Sequence, residues 1–142
     1  MIQIIAGRQG KGKTKHMLDM ANEAMATAHG TVAYLDKSTK HMFELDRKIR
    51  LINVFEYPIQ SVDYFLGFLC GIISQDHDLE VLFLDSLTKL AVVDLEDNAS
   101  LELMINEIRA ISERYGVRVV ISISKDFEEL PETARDQVIL SL

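Results

Sequence analysis

The sequence contains few residues of the kinds that cross-link, interrupt or anchor a chain. Its one cysteine, Cys70, excludes an intrachain disulfide, and its two prolines and seven glycines do not cluster into a linker. No apolar run approaches the ~18–20 residues that cross a bilayer. The first residues lack the basic start and long apolar stretch of a signal peptide, and the four histidines lack zinc-ligand spacing. We therefore expect a cytoplasmic protein without membrane insertion.

The bulk composition is that of a folded globular domain. Of the 142 residues, 48% are apolar and 26% are charged, which suits one packed core and is too little chain for two ordinary domains. We expect a single domain over residues 1–142. The net charge of -7 disfavours binding to bulk nucleic acid or anionic lipid, because an acidic surface repels phosphate groups.

Short apolar runs alternate with longer segments of helical periodicity. The pattern predicts three main helices, over residues 13–28, 59–73 and 100–115. Gly30 is the expected stop of the first helix and Gly116 that of the third, whose buried stripe is expected to include Tyr115. It predicts six strands, over residues 2–6, 31–35, 51–55, 81–84, 117–123 and 137–142. Strands separated by helices indicate an α/β fold with three layers, α/β/α, around a mostly parallel sheet.

Glycine or polar side chains come directly after four of the predicted strands. These residues are Gly7, Asp36, Asp85 and Ser124. Parallel sheets bind their ligands beyond the carboxyl ends of the strands. We therefore expect these four residues to meet at one edge of the sheet and to form the functional site.

Residues 7–14 match the phosphate-binding motif G-x-x-x-x-G-K-[ST] at every fixed position. They are Gly7, Arg8, Gln9, Gly10, Lys11, Gly12, Lys13 and Thr14. The motif follows a predicted strand and opens a predicted helix, which is the context in which such a loop binds a nucleoside triphosphate. The glycines allow a tight turn with N–H groups pointing inward, and the helix N-terminus adds a positive field.

The side chains of this loop have separate expected roles. Lys13 is expected to contact the β- and γ-phosphates and to stabilise charge during hydrolysis, and the Thr14 hydroxyl is expected to bind Mg²⁺. Arg8 and Lys11 have two interpretations. Either one reaches a γ-phosphate, in this subunit or a neighbour, or both are solvated side chains that offset phosphate charge.

A second acidic position follows an apolar strand. Four apolar residues, 81–84, precede Asp85, which is the form of a Walker B strand. Asp85 would hold Mg²⁺ directly or through a water. The alternative is that Asp85 caps a loop, as aspartate does at the ends of many buried strands.

In order and spacing, residues 2–125 resemble the ATPase core of the RecA-like P-loop NTPases, which include recombinases, DnaB-type helicases and circadian-clock ATPases. The segment Leu84-Asp85-Ser86-Leu87 is similar to the Asp-Ser pair after that family's Walker B strand. The resemblance implies that the strand at 119–123 lies between the strands at 2–6 and 81–84. It also implies ATP or another NTP as ligand, Mg²⁺ as cofactor, and assembly into a homo-oligomer or larger complex.

The glutamate that orients water in this family has no match here, because residues 36–39 read Asp-Lys-Ser-Thr. Asp36 is one candidate for that catalytic role. Glu56, at the end of the neighbouring strand, is another. Ser124 corresponds to the strand end that often senses the γ-phosphate in the family.

Three functions remain open from the sequence. The leading one is a slow or partner-activated Mg-dependent ATPase, in which hydrolysis depends on positioning and charge stabilisation. The second is a nucleotide-gated regulatory module that lacks the catalytic glutamate. The third is a small-molecule kinase for a nucleotide or cofactor, for which the basic segment 37–50 is the candidate acceptor lid.

Overall fold

Six parallel strands form one sheet in the computed structural model, which describes residues 1–142. They are β1 Ile2–Ala6, β2 Thr31–Asp36, β3 Arg50–Asn53, β4 Leu79–Leu84, β5 Arg118–Ile123 and β6 Val138–Ser141. Their order across the sheet is β3-β2-β4-β5-β1-β6. The predicted α/β class with three layers is confirmed, and β5 lies between β1 and β4 as expected.

Both faces of the sheet are buried, which explains why the strands are apolar without alternation. Neighbouring residues point to opposite faces, so Ile4 joins one core cluster and Ile5 the other. The larger cluster includes Phe65 of one helix and Met104 of another, and the smaller one includes Met17. The two clusters therefore lie on opposite faces of the sheet, and helices cover each of them.

Four α-helices cover these faces. They are α1 Lys13–Thr27, α2 Val62–Gln75, α3 Leu87–Leu90 and α4 Asn98–Tyr115. The α2 helix begins where the Ser61 hydroxyl accepts a hydrogen bond from the backbone N–H of Tyr64, and α4 begins at the Asp97 carboxylate in the same manner. Gly116 ends α4 in the left-handed conformation, as predicted. None of the helices combines the length and apolar character that a membrane span requires.

The structure differs from the sequence prediction mainly in short elements. The predicted strand at 51–55 ends at Asn53, where the Asn53 side chain caps a 3₁₀ turn over Val54–Glu56. The α3 helix is not among the predicted helices. Tyr115, expected in the buried stripe of α4, lies at the last turn and is about half exposed.

Gly30 has a different role from the helix stop that the sequence suggested. The α1 helix already ends at Thr27, and Gly30 lies just before β2, where its backbone packs against the Asp78 carbonyl. A Cβ atom placed on Gly30 would lie 2.0 Å from that oxygen. The adjacent Thr31 N–H donates to the same oxygen at 2.8 Å, so this close approach sets how β2 starts beside β4.

We expect Gly30→Ala to lower the free energy of unfolding by roughly 1–3 kcal/mol, because the added methyl must displace a paired carbonyl. The control is Gly67→Ala, at an exposed position of α2 where an added Cβ meets nothing within 4 Å. That variant should raise stability by about 1 kcal/mol or less, since alanine favours a helix. Urea unfolding of both variants measures the difference, and equal effects at the two glycines would contradict the close packing at Gly30.

Candidate functional site at the carboxyl edge of the sheet

The carboxyl ends of four strands bring the predicted residues to one edge. The Asp85 N–H donates to the Leu35 carbonyl at 3.0 Å, which joins the end of β4 to that of β2. The Gly7 N–H donates to the Ile123 carbonyl at 3.3 Å and joins β1 to β5 in the same way. The expected convergence of Gly7, Asp36, Asp85 and Ser124 is therefore confirmed as a matter of position.

The loop between β1 and α1 is built on left-handed glycines. Gly10 has φ of 86° and Gly12 has φ of 88°, a region that residues with a Cβ adopt only at a cost. Gly12 is also the N-cap of α1, and no side chain caps that helix end. The first turn of α1 contains no acidic residue either. Its unpaired N–H groups and the positive end of the helix dipole therefore face the loop without a protein anion to neutralise them.

Lys13 is the most buried charged residue of the loop, with 7% of its surface exposed. Its Nζ donates to the Arg8 carbonyl oxygen at 3.1 Å, across the loop. Burial lowers the pKa of Lys13, and the neighbouring Asp85 carboxylate opposes that effect. A buried ammonium group with one neutral acceptor is poised to gain a stronger, anionic partner.

The Asp85 carboxylate is held by three hydroxyl groups from three different elements. Tyr34 of β2 donates to Oδ2 at 2.8 Å, and Ser122 of β5 donates to Oδ1 at 2.9 Å. Thr14 of α1 donates to Oδ2 at 3.1 Å. Burial and the nearby carboxylate raise the pKa of Tyr34, so its phenol stays protonated and remains a donor. The two predicted metal ligands, Thr14 and Asp85, are thus in direct contact.

A polar cleft of about 180 Å³ lies between the loop and the ends of β2, β4 and β5. No apolar side chain lines it. Three lysines, Lys13, Lys37 and Lys89, line the cleft against a single carboxylate, Asp85. A chain with a net charge of -7 therefore concentrates positive charge in this cleft, which favours an anionic ligand there.

The other predicted loop and strand-end residues divide between the cleft and the surface. Gln9 and Ser124 line the cleft. The Arg8 side chain instead forms ion pairs with Asp126 at 2.9 Å and Glu129 at 3.2 Å, and these carboxylates raise the pKa of its guanidinium group. Lys11 is exposed, and its backbone N–H closes the turn onto the Arg8 carbonyl.

The two candidates for a water-orienting carboxylate do not line the cleft. Asp36 is 3% exposed, and its Oδ1 accepts a hydrogen bond from the Lys37 N–H at 2.7 Å. Its Oδ2 is buried without a hydrogen-bond partner, and burial, with a contribution from Asp85, raises the pKa of this carboxyl. Glu56 is exposed and accepts only a long hydrogen bond, 3.5 Å, from Asn53.

Sequence reasoning missed four residues of this site. Tyr34 and Ser122 are polar groups inside otherwise apolar strands, and that pattern was the available signal for both. Lys37 directly follows β2, and its Nζ lies 3.4 Å from the Ser86 hydroxyl. Lys89 lies on the short helix α3, which periodicity did not reveal. Ser86 itself adopts a left-handed conformation, and its N–H donates to the Ser122 hydroxyl at 2.7 Å.

Comparison with protein-family models found no match, and a search of curated proteins found none that matches the sequence significantly. The site combines an uncapped helix end, a buried lysine and a carboxylate paired with a threonine hydroxyl. Such an arrangement can hold a phosphate group and an oxygen-liganded cation side by side.

The buried carboxyl of Asp36 should make stability depend on pH. Its pKa is raised in the folded protein, so the folded state binds this proton at a higher pH than the unfolded chain does. Stability from this group is therefore lost as pH rises from about 4 through the raised pKa. Asp36→Asn removes that loss, so the melting temperature of the variant relative to the native protein should rise from acidic to neutral pH.

Thermal unfolding at several pH values tests this trend. Glu23→Gln, which neutralises an exposed carboxylate on α1, is the control and should show little trend. If the difference in melting temperature between Asp36→Asn and the native protein stayed constant with pH, the raised pKa of Asp36 would be contradicted.

Proposed function

We propose that this chain is a RecA-like P-loop NTPase that binds ATP or another nucleoside triphosphate with Mg²⁺ and hydrolyses it slowly or on activation by a partner. One observation carries the proposal. A complete phosphate-loop motif connects a central strand to an uncapped helix, and its threonine hydroxyl lies 3.1 Å from a carboxylate at the end of another central strand. The position of β5 between β1 and β4, which the resemblance implied, supports it.

Phosphate binding would use the main chain first. The uncapped first turn of α1 offers N–H groups at the loop, and the helix dipole favours negative charge there. Lys13 would exchange the Arg8 carbonyl for phosphate oxygens, which gives a charge-assisted hydrogen bond in place of a neutral one. Lys37 and Lys89 supply further positive charge along the same cleft.

Thr14 and Asp85 fit a Mg²⁺ ion by their chemistry. A hydroxyl and a carboxylate are the oxygen ligands that Mg²⁺ prefers, and it usually takes only one or two carboxylates from the protein. No group of three or more His, Cys, Asp or Glu side chains in this protein is arranged to hold a metal, so a closed protein cage is not the design here. Bound there, Mg²⁺ would neutralise phosphate charge and orient the terminal phosphate. Tyr34 and Ser122 would keep the Asp85 carboxylate in position for it.

Slow hydrolysis follows from what the cleft contains. Apart from Asp85, no carboxylate lines it, and Asp85 already accepts three hydroxyl protons. The buried, partner-free Oδ2 of Asp36 would accept a proton from water only after a rearrangement that brings it into the cleft. A carboxylate from another subunit would meet the same need, and an arginine from that subunit would stabilise the charge that develops on the phosphate. The Ser124 hydroxyl can donate a hydrogen bond to a phosphate oxygen.

The same shortage of carboxylates also favours a second candidate, a nucleotide-gated regulatory module that binds without turnover. A small-molecule kinase has no comparable support. Its expected acceptor lid, the segment 37–50, is fastened to α1 because Asn22 hydrogen-bonds the Glu44 carbonyl and the Asp46 N–H at 2.9 and 2.8 Å. Leu45 and Ile49 of that segment are also buried in the core.

Two measurements test the proposal. Phosphate release from Mg-ATP gives the turnover, and titration calorimetry gives the affinity for the triphosphate. Lys13→Ala should weaken triphosphate binding about tenfold or more, since a hydrogen bond to a charged group contributes roughly 1.5–3 kcal/mol. Lys15→Ala, which removes an exposed lysine of α1 that pairs with Asp19 and does not line the cleft, is the matched control. Turnover that only Lys13→Ala abolishes supports the ATPase, whereas binding without turnover supports the regulatory module. Native protein that neither binds nor hydrolyses a triphosphate rejects both.

The hydroxyl contacts of Asp85 generate a separate prediction. Tyr34→Phe should raise the Mg²⁺ concentration needed for half-maximal ATP binding by about tenfold, because groups that hold a metal ligand affect metal affinity to that degree. Tyr64→Phe removes an exposed hydroxyl that makes no hydrogen bond and should have no effect. If Asp85→Asn left the Mg²⁺ dependence unchanged, Asp85 would not be a magnesium ligand.

A further inference from the structure

A second cavity, of about 470 Å³, opens beside the phosphate cleft. The two share a wall made of Gln9, Lys89 and Ser124. Their linings differ in chemistry, because the phosphate cleft has no apolar side chain while the second cavity has four: Phe55, Val92, Val93 and Leu95. Its volume is within the range of small-molecule pockets, which are mostly apolar with a few polar groups.

Val92, one of the apolar residues that line this cavity, has a strained backbone conformation. Its φ is 58°, a left-handed conformation that costs a β-branched residue free energy and that glycine would adopt without strain. The conformation is maintained by the turn around it, where the Val93 N–H donates to the Thr88 carbonyl at 2.9 Å. Val92 is 56% exposed, so packing in the core does not explain this strained conformation.

Phe55 is a second exposed apolar residue in the lining of this cavity. It lies on the 3₁₀ turn after β3, and the Asn53 side chain accepts a hydrogen bond from its N–H at 3.1 Å. The backbone is thus fixed, while 59% of the residue is exposed to solvent. Phe55 and Val92 thus line one cavity, lie outside the core, and belong to turns that local hydrogen bonds hold. Exposed apolar residues arranged in this way are typical of a ligand site.

Lys89 supplies the positive charge of this cavity. Its ammonium group makes no hydrogen bond or ion pair with any other residue, and Lys89 lies where the cavity meets the phosphate cleft. The one carboxylate of the cavity, Asp94, already accepts a hydrogen bond from the Glu96 N–H at 2.9 Å. The cavity therefore offers an apolar surface, one ammonium group without a partner where it meets the phosphate cleft, and one hydrogen-bonded carboxylate.

We propose that this cavity binds a small organic anion with an aromatic or branched apolar body, whose anionic group pairs with Lys89. The effect of this ligand on nucleotide binding rests on the proposed function. Lys89 also lines the phosphate cleft, so an organic anion and the terminal phosphate of a nucleotide compete for one lysine and repel one another. Each ligand weakens the binding of the other, which makes the second cavity a regulatory site of the NTPase.

Anilinonaphthalene sulfonate is a suitable probe, because it joins aromatic rings to one anionic group and becomes fluorescent in an apolar site. Titration of the full chain should give saturable binding of one probe molecule. Phe55→Ala and Lys89→Gln should each weaken it about fivefold or more. Val92→Gly should weaken it too while keeping or raising the melting temperature, since it removes the side chain and the backbone strain together.

Two matched variants guard against non-specific binding. Phe43→Ala removes a phenylalanine that is 91% exposed and does not line the cavity, and Lys40→Gln removes an exposed lysine from the same segment. Both should leave probe binding unchanged. Binding that survives Phe55→Ala, or that falls equally in Phe43→Ala, would overturn the proposed site. Probe binding lost in Lys13→Ala would also overturn it, because it would place the probe in the phosphate cleft.

The nucleotide arm is measured separately, so that failure of the proposed function is distinguishable from failure of this inference. Mg-ATP should weaken probe binding about fivefold, and that effect should disappear in Lys89→Gln. If the chain binds no nucleotide, the probe titrations still stand on their own. If ATP binds and leaves the probe affinity unchanged, the regulatory coupling is refuted.

Discussion

The structure depends on the hydrogen bonds that the buried carboxylate of Asp85 accepts. A buried charge is costly unless it is well hydrogen-bonded, and here three hydroxyl groups serve that need. They come from β2, β5 and α1, so one anionic group ties the loop helix to three adjacent strands of the sheet. The same contacts hold the carboxylate at the edge where a cation would meet it.

The distribution of charge is the second constraint. The chain as a whole is acidic, yet the cleft contains three lysines and one aspartate. Burial already lowers the pKa of Lys13, which means that its charged form lacks adequate solvation. The uncapped end of α1 adds further unpaired positive character. An anion placed in the cleft, such as the phosphate of the proposed function, would relieve all three conditions at once.

Long, periodic elements were predictable and short ones were not. The six strands and three of the helices lie within a few residues of their predicted positions, because apolar periodicity reports directly on burial. The α3 helix and the 3₁₀ turn after β3 were missed, since elements of three or four residues owe their form to caps and packing. Gly30 was assigned to a helix end because its contact with Asp78, distant in sequence, leaves no local pattern.

By itself, the sequence determined the loop 7–14, the class of fold and the position of Asp85 after a buried strand, because these features are written in contiguous residues. Only the tertiary structure decided which groups surround them. Tyr34 and Ser122 reach Asp85 because β2 and β5 flank β4, and Lys37 and Lys89 meet Lys13 because three connections end at one edge. Strand order and register are set by packing between residues far apart in the chain, so no local pattern contains them.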